Sequence, residues 1–125
     1  MCIRDRPYTI FGYKGKQVRD QIHCHDVINA FWHFAQNPRP GEVYNLGGGR
    51  SNSASVIECI EMIAHRTGKR PALTYDPTNR IGDHICYFTD LSKLKTHYPD
   101  WKLTYTLEEI VDEMITCIQR LRKAA

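Results

Sequence analysis

The sequence predicts an α/β domain in which short strands alternate with about four helices. Two patterns carry this. β-prone runs of four or five residues end in glycine-rich or proline-rich breaks, and between them lie three stretches whose apolar residues recur every three or four positions. A third observation bounds the size: 125 residues, 42% hydrophobic and 25% charged, suit one domain with a thin core. At such a length roughly a third of the unfolded surface stays exposed even when packing is good.

Met1 to Arg6, reading Met-Cys-Ile-Arg-Asp-Arg, resembles translated adapter read-through. Residues 1–6 are therefore set aside as a non-native segment, 7–125 form the domain, and the natural chain is expected to begin earlier. Tyr8 to Phe11 is the first strand, and Gly12 to Gly15 a turn or loop. Val18 to Ile22 is a second extended segment. Asp26 can cap a helix through about Gln36, with Val27, Ala30, Phe31 and Phe34 on one face, and Asn37-Pro38-Arg39-Pro40-Gly41 stops it. Glu42 to Leu46 reads as a strand running into Gly47-Gly48-Gly49, a sharp turn or a place where backbone passes close to another group.

Ser53 or Ser55 can cap the next helix, whose apolar positions Val56, Ile57, Ile60, Ile63 and Ala64 repeat until Gly68 ends it. Ala72 to Tyr75 is a strand, 76–82 a loop, and Ile85 to Phe88 a short strand. Asp90 can cap a short helix ending before Pro99. Thr106 and Glu109 have capping-box spacing and open a last helix through about Leu121, with Ile110, Met114, Ile115 and Ile118 as its buried stripe.

Composition narrows the function classes. A formal charge of +3 is weak for nucleic-acid binding, and no basic and aromatic interleaving accompanies it. Arg120, Arg122 and Lys123 read instead as a solvated helix end, favourable at the negative pole of the helix dipole. Five widely and irregularly spaced cysteines match neither a disulfide framework nor a zinc ribbon, so reduced thiols and a cytoplasmic setting are expected. No apolar run approaches the roughly 18 residues of a membrane span, and no secretory signal pattern is present. Neither nucleic acid nor membrane is an expected partner.

Two arginine-bearing segments carry the functional signal. Gln17 and Arg19 fall on one face of an extended segment, with Asp20 on the other, so Arg19 can meet a phosphate, Gln17 can add an amide hydrogen bond, and Asp20 can brace a neighbouring loop. Arg80-x-Gly82-Asp83 lies in a loop after a strand: Arg80 can take phosphate, Gly82 permits a tight turn, and Asp83 can accept from a hydroxyl such as a ribose's. Guanidinium's fixed donors match a phosphate edge, so two of them brought together would clamp a diphosphate. Taken singly, each segment is more simply read as a surface ion pair or a polar turn.

Other groupings favour structure over chemistry. His23-Cys24-His25-Asp26 contains zinc-ligand types but no third ligand at sensible spacing, and Cys24 has no identified base partner. Gly47-Gly48-Gly49 lacks GxGxxG spacing and reads as a turn.

Read in order, the segments Gly15-Lys16-Gln17-Val18-Arg19-Asp20, Ile22-His23, Asp26, Gly41-Glu42-Val43-Tyr44-Asn45-Leu46-Gly47 and Arg80-x-Gly82-Asp83, with Asp90, Lys93 and Trp101 beyond, resemble the C-terminal part of NAD-dependent sugar-nucleotide epimerases and dehydratases, in the extended short-chain dehydrogenase/reductase family. Within that family the wording of 12–20 and 80–85 is most like the 2-epimerases of CDP-paratose and CDP-tyvelose. UDP-sugar 4-epimerases and dTDP-sugar dehydratases come next.

The resemblance implies the substrate-binding portion of an extended Rossmann-type epimerase without its Rossmann core. It assigns Arg19 and Arg80 to the substrate diphosphate, Asp83 to the neighbourhood of the nucleotide ribose, and Gln17 to the same cleft. Asp20 and Asp26 become structural supports, and the 43–46 strand would complete a sheet edge. It implies a nucleotide diphosphate sugar as partner and NAD as a cofactor held by the missing N-terminal half, which also carries the catalytic tyrosine and lysine. The full-length enzyme could be a homo-oligomer, and this chain alone is expected to be inactive. A free-standing nucleotide- or anion-binding module is the alternative from a different class.

Overall fold

The computed structural model describes residues 7–79 and 81–123, which divide into two compact units. The first holds the described residues up to Val18 together with Ala54–Tyr87; the second holds Arg19–Ser53 and those from Phe88 onward. The architecture is α/β, with four strands and four α-helices among the described residues. The expectation about residues 1–6 lies outside the described residues, as does Arg80.

In the first unit β1 (Tyr8–Phe11) pairs in parallel with β4 (Leu73–Asp76), Tyr8 facing Leu73 and Phe11 facing Asp76. The ladder extends at both ends, through Tyr8 N–H to Ala72 O at 2.7 Å and Gly12 N–H to Asp76 O at 2.8 Å. Helix α2 (Val56–Thr67) starts at a complete capping box: Ser55 Oγ accepts from Glu58 N–H, and Glu58 Oε2 accepts from Ser55 N–H at 2.7 Å. Gly68, left-handed at φ 66°, closes it. Ile10 is buried, but no residue of α2 is, and Ile63 is 42% exposed. The expected strand over 85–88 is a single parallel bridge of Cys86 to Val18, the first residue of β2 (Val18–Asp20); it is flanked by Val18 N–H to Ile85 O and Tyr87 N–H to Val18 O.

The second unit has the denser interior. Ala30, Leu91, Leu94, Tyr98 and Trp101 form its core, with Ile22, Tyr44, Leu46 and Leu103 packed against them. Helix α1 is Cys24–Gln36, α3 is Ser92–His97 and α4 is Leu107–Lys123. Thr106 and Glu109 form the predicted box at the start of α4: Thr106 N–H donates to Glu109 Oε2 at 2.8 Å and Glu109 N–H to Thr106 Oγ1 at 3.2 Å. Asp90 Oδ1 accepts from Ser92 N–H at 2.9 Å, but the N-cap of α3 is Leu91 and not the expected Asp90, which stands one residue earlier. The remaining strand, β3 (Ser53–Ser55), pairs with β2, and the chain passes between units within each of these strands and again between Tyr87 and Phe88.

Three expectations need correction. Asp26 does not cap α1; His23 does, its Nδ1 accepting from His25 N–H at 3.1 Å. The Asp26 carboxylate turns inward instead, because the amides of Thr104 and Tyr105 need an acceptor there. Residues 42–46 form no ladder among the described residues: Val43 is 78% exposed, while Tyr44 and Leu46 pack on the core. β-propensity alone does not make a strand where no partner backbone lies beside it. On α4 the buried positions are Leu107 and Val111, whereas Met114 and Ile118 are exposed, since the core reaches only the helix's first two turns. The apolar face of α1 shows the same excess, with Phe31 exposed alongside Ile28 and Trp32.

Candidate functional site

The first unit brings Gln17 and Asp83 together across 66 positions of sequence. Gln17 Nε2 donates to Asp83 Oδ2 at 3.0 Å and also reaches Phe11 O at 3.2 Å. Both side chains are half-buried, so the pair is screened from bulk water without being sealed from a ligand. Tyr13 completes the arrangement, its hydroxyl donating to Asp83 O at 3.2 Å.

The local backbone explains how three such residues converge. From Gly12 to Gly15 every φ is positive, at 63°, 47°, 53° and 72° in order, which folds the chain back within one turn. Tyr13 and Lys14 pay a strain of roughly 1–3 kcal/mol each for a region that favours glycine, and such outliers concentrate at ligand-holding loops. Lys14 N–H donates to Tyr75 Oη at 3.2 Å and helps hold the turn. Sequence reasoning missed Tyr13. The signal available was its place between two glycines in a loop otherwise read as glycine- and lysine-rich.

Gly82 adopts φ 80°, the tight turn anticipated between Arg80 and Asp83, and Ile81 beside it is fully exposed.

Arg19 belongs to the second unit, in β2 and half-buried. Its neighbour Asp20 points into that unit. Asp20 Oδ2 accepts from Gly49 N–H at 2.8 Å and Thr89 N–H at 3.0 Å. Burial pushes the Asp20 carboxyl up, but the hydrogen bonds from Thr89 and Gly49 outweigh it and hold the group below its ordinary 3.8. Asp20 is thus a brace for the glycine loop.

That brace decides what Gly47-Gly48-Gly49 can do. A Cβ on Gly48 would collide with Gln21 O, and one on Gly47 with the Thr89 hydroxyl, so side-chain-free positions are needed for protein backbone to pass. Gly49 N–H is already committed to Asp20. The loop is filled by its own chain and does not fit the pyrophosphate of a dinucleotide.

A cavity of about 400 Å³ lies beside this loop within the second unit, with Arg50 and Lys95 among its lining residues. None of the predicted binding residues lines it. Around the His23-Cys24-His25-Asp26 run, His23 stacks on Tyr105 at 4.0 Å between centroids, and its Nε2 meets Glu113 Oε2 at 3.0 Å. Among the described residues no group of three or more His, Cys, Asp or Glu could hold a metal ion. Nor is any described helix long and apolar enough to cross a membrane.

Comparison with known proteins gives this geometry its context. Residues 2–47 match the family described as NAD dependent epimerase/dehydratase. The chain is 30% identical over 112 residues to CDP-paratose 2-epimerase of Salmonella typhi, an alignment of 88% of this chain and 32% of that protein. It is 31% identical over 123 residues to dTDP-glucose 4,6-dehydratase of Xanthomonas campestris, covering 91% of this chain and 34% of the relative. MoeE5, solved in complex with UDP-glucuronic acid and NAD, matches with a TM-score of 0.80 at 30% identity over 94% of this chain and 38% of its own. UDP-glucuronic acid 4-epimerase of Bacillus cereus, solved with UDP-glucuronic acid and NAD, matches at 0.77 and 27% identity over 92% and 36%. The chain spans about a third of the length of the curated relatives it matches. It belongs to the NAD-dependent epimerase/dehydratase family.

Proposed function

We propose that this chain is the nucleotide-sugar-binding part of an NAD-dependent epimerase, acting on CDP-paratose or CDP-tyvelose. The observation that carries the reading is the Gln17–Asp83 hydrogen bond, because it joins the two segments singled out in the sequence for binding. In this reading Gln17 holds the Asp83 carboxylate in one orientation, ready to accept from a ribose hydroxyl. Arg19 and Arg80 neutralise the diphosphate, and Tyr13 keeps the 82–84 turn in place through Asp83 O.

NAD takes a hydride from the sugar and returns it when it is bound to such enzymes. The residues of this chain do not fit that cofactor, since the glycine loop is filled, no GxGxxG pattern is present, and the tyrosine of the Tyr-x-x-x-Lys match at Tyr98 and Lys102 is buried in the core with its hydroxyl donating to Asn37 O. We therefore assign this chain binding and orientation only, in a cytoplasmic enzyme, and infer that it does not turn over by itself. The UDP-sugar 4-epimerase reading has support of its own in the fold likeness to MoeE5 and the Bacillus cereus enzyme.

A chimera separates these readings: this chain replaces the matching third of the Salmonella typhi CDP-paratose 2-epimerase. Epimerisation of CDP-tyvelose is the expected result. Turnover of UDP-glucuronic acid instead would move the assignment to the 4-epimerases. A folded, NAD-loaded chimera that binds no nucleotide sugar would overturn the binding role itself.

A further inference from the structure

Two cations of the second unit are left without a role in holding the fold. Lys93 is tied to Glu42 at 2.7 Å and to Val43 O at 3.0 Å, and Arg39 lies over the Tyr98 ring at 5.9 Å. Arg50 and Lys95, by contrast, have no side-chain partner among the described residues. Both line the cavity of about 400 Å³ beside the glycine loop, together with Ser51, whose hydroxyl is likewise unpartnered among the described residues.

The cavity is held open by the fold itself. Its lining comes from the 48–51 loop and from residues 88–92 with Lys95, and one carboxylate pins both segments: Asp20 Oδ2 accepts from Gly49 N–H at 2.8 Å and from Thr89 N–H at 3.0 Å. A preformed opening lowers the cost of binding. Leu91, 7% exposed, and Leu103 give it an apolar surface. Asp90 is the one carboxylate in the lining, and its Oδ1 already accepts from Ser92 N–H at 2.9 Å and Ser92 Oγ at 2.6 Å, so two cations face one acid. The volume falls within the roughly 300–1,000 Å³ of small-molecule pockets and exceeds what a bare inorganic ion fills.

We infer that this cavity binds a small organic phosphate, its phosphate group meeting Arg50, Ser51 and Lys95 and its carbon part lying on Leu91 and Leu103. Guanidinium and ammonium donate charge-assisted hydrogen bonds to phosphate oxygens, about twice as strong as neutral ones. Two cations and a hydroxyl suit the three oxygens of a phosphate dianion better than the two of a carboxylate. Gln17, Arg19 and Asp83 do not line the cavity, so the inference is independent of the proposed nucleotide-sugar site.

Amide NMR titration of the whole chain tests it, with phenyl phosphate, inorganic phosphate and phenol as probes. Phenyl phosphate should shift the Arg50, Ser51 and Lys95 amides saturably, inorganic phosphate should bind more weakly, and phenol should leave them unmoved. Arg50→Ala with Lys95→Ala, both at exposed positions, should weaken phenyl phosphate at least about tenfold while the amides of α1 and α4 keep their positions. Asp90→Asn keeps an acceptor for Ser92 N–H and removes the opposing charge, so it should strengthen binding. Arg19→Ala should leave the affinity unchanged. A wild type with no saturable shift would overturn the inference. So would affinity indifferent to these changes of charge at Arg50, Lys95 and Asp90, or inorganic phosphate binding as tightly as phenyl phosphate. Affinity lost in Arg19→Ala would overturn it too, by placing the phosphate at the other site.

Discussion

In the second unit Asp26 is fully buried and its carboxylate accepts from Thr104 N–H at 3.1 Å and Tyr105 N–H at 3.3 Å, while its carbonyl takes the Trp101 indole N–H at 3.1 Å. In the first unit the corresponding polar pair, Gln17 and Asp83, is only half-buried, and the helix beside it buries no residue. The difference separates two uses of a polar group. Asp26 is satisfied by the protein on every side and can only hold structure. Asp83 accepts from the Gln17 amide, lies only half-buried and sits beside a turn of left-handed backbone, so it stays near the surface where Asp26 does not.

If that contrast is right, the largest effects belong to the second unit. Trp101→Ala, at 1% exposure, should cost about 3–5 kcal/mol, read as a fall in urea midpoint. Asp26→Ala should cost about 3 kcal/mol, because the Thr104 amide and hydroxyl and the Tyr105 amide all lose a charged acceptor.

The effect of Asp26 should also depend on pH. Burial pushes its carboxyl up, yet the hydrogen bonds from Thr104 and Tyr105 prevail and hold it below 3.8. Its stabilisation is then fully present above pH 3.8 and disappears as pH falls through the lower folded value. The gap between wild type and Asp26→Asn should accordingly narrow from pH 7 to pH 3. A gap that stayed constant would mean that the charge contributes nothing.

Smaller effects belong to the first unit. Ser55→Ala, which removes half of the α2 capping box, should cost about 1 kcal/mol. Gln17→Ala should change stability by less than about 0.5 kcal/mol, as expected at a partly exposed site, and act on ligand affinity instead. A large stability loss at Gln17 would erase the distinction between the two units.

The sequence was most informative where local chemistry decides the outcome. Ser55 with Glu58, Thr106 with Glu109 and Gly68 each form the cap their residue types imply. The strand Tyr8–Phe11 likewise matches its β-prone run. The inference failed where a partner decides. Residues 42–46 have strand composition but no ladder, and Met114 and Ile118 have core composition but are exposed.

Asp26 misled for a different reason: an aspartate near a helix start reads as a cap, and its true partners lie 78 and 79 positions away. At the candidate site, Gln17 and Asp83 were legible as residues, but their direct contact was not, because nothing in either segment encodes a separation of 66 positions. Tyr13 was hidden for the same reason, since its role depends on a backbone conformation that tyrosine seldom adopts.

The central claim, that the two arginine-bearing segments bind a nucleotide diphosphate sugar, is tested most directly by steady-state kinetics on the chimera carrying Arg19→Ala and Arg80→Ala. Loss of two charge-assisted phosphate contacts should raise KM for the CDP-sugar at least about a hundredfold, roughly 1.4 kcal/mol for each tenfold, with kcat changed far less. An unchanged KM in a folded, NAD-loaded chimera would contradict it.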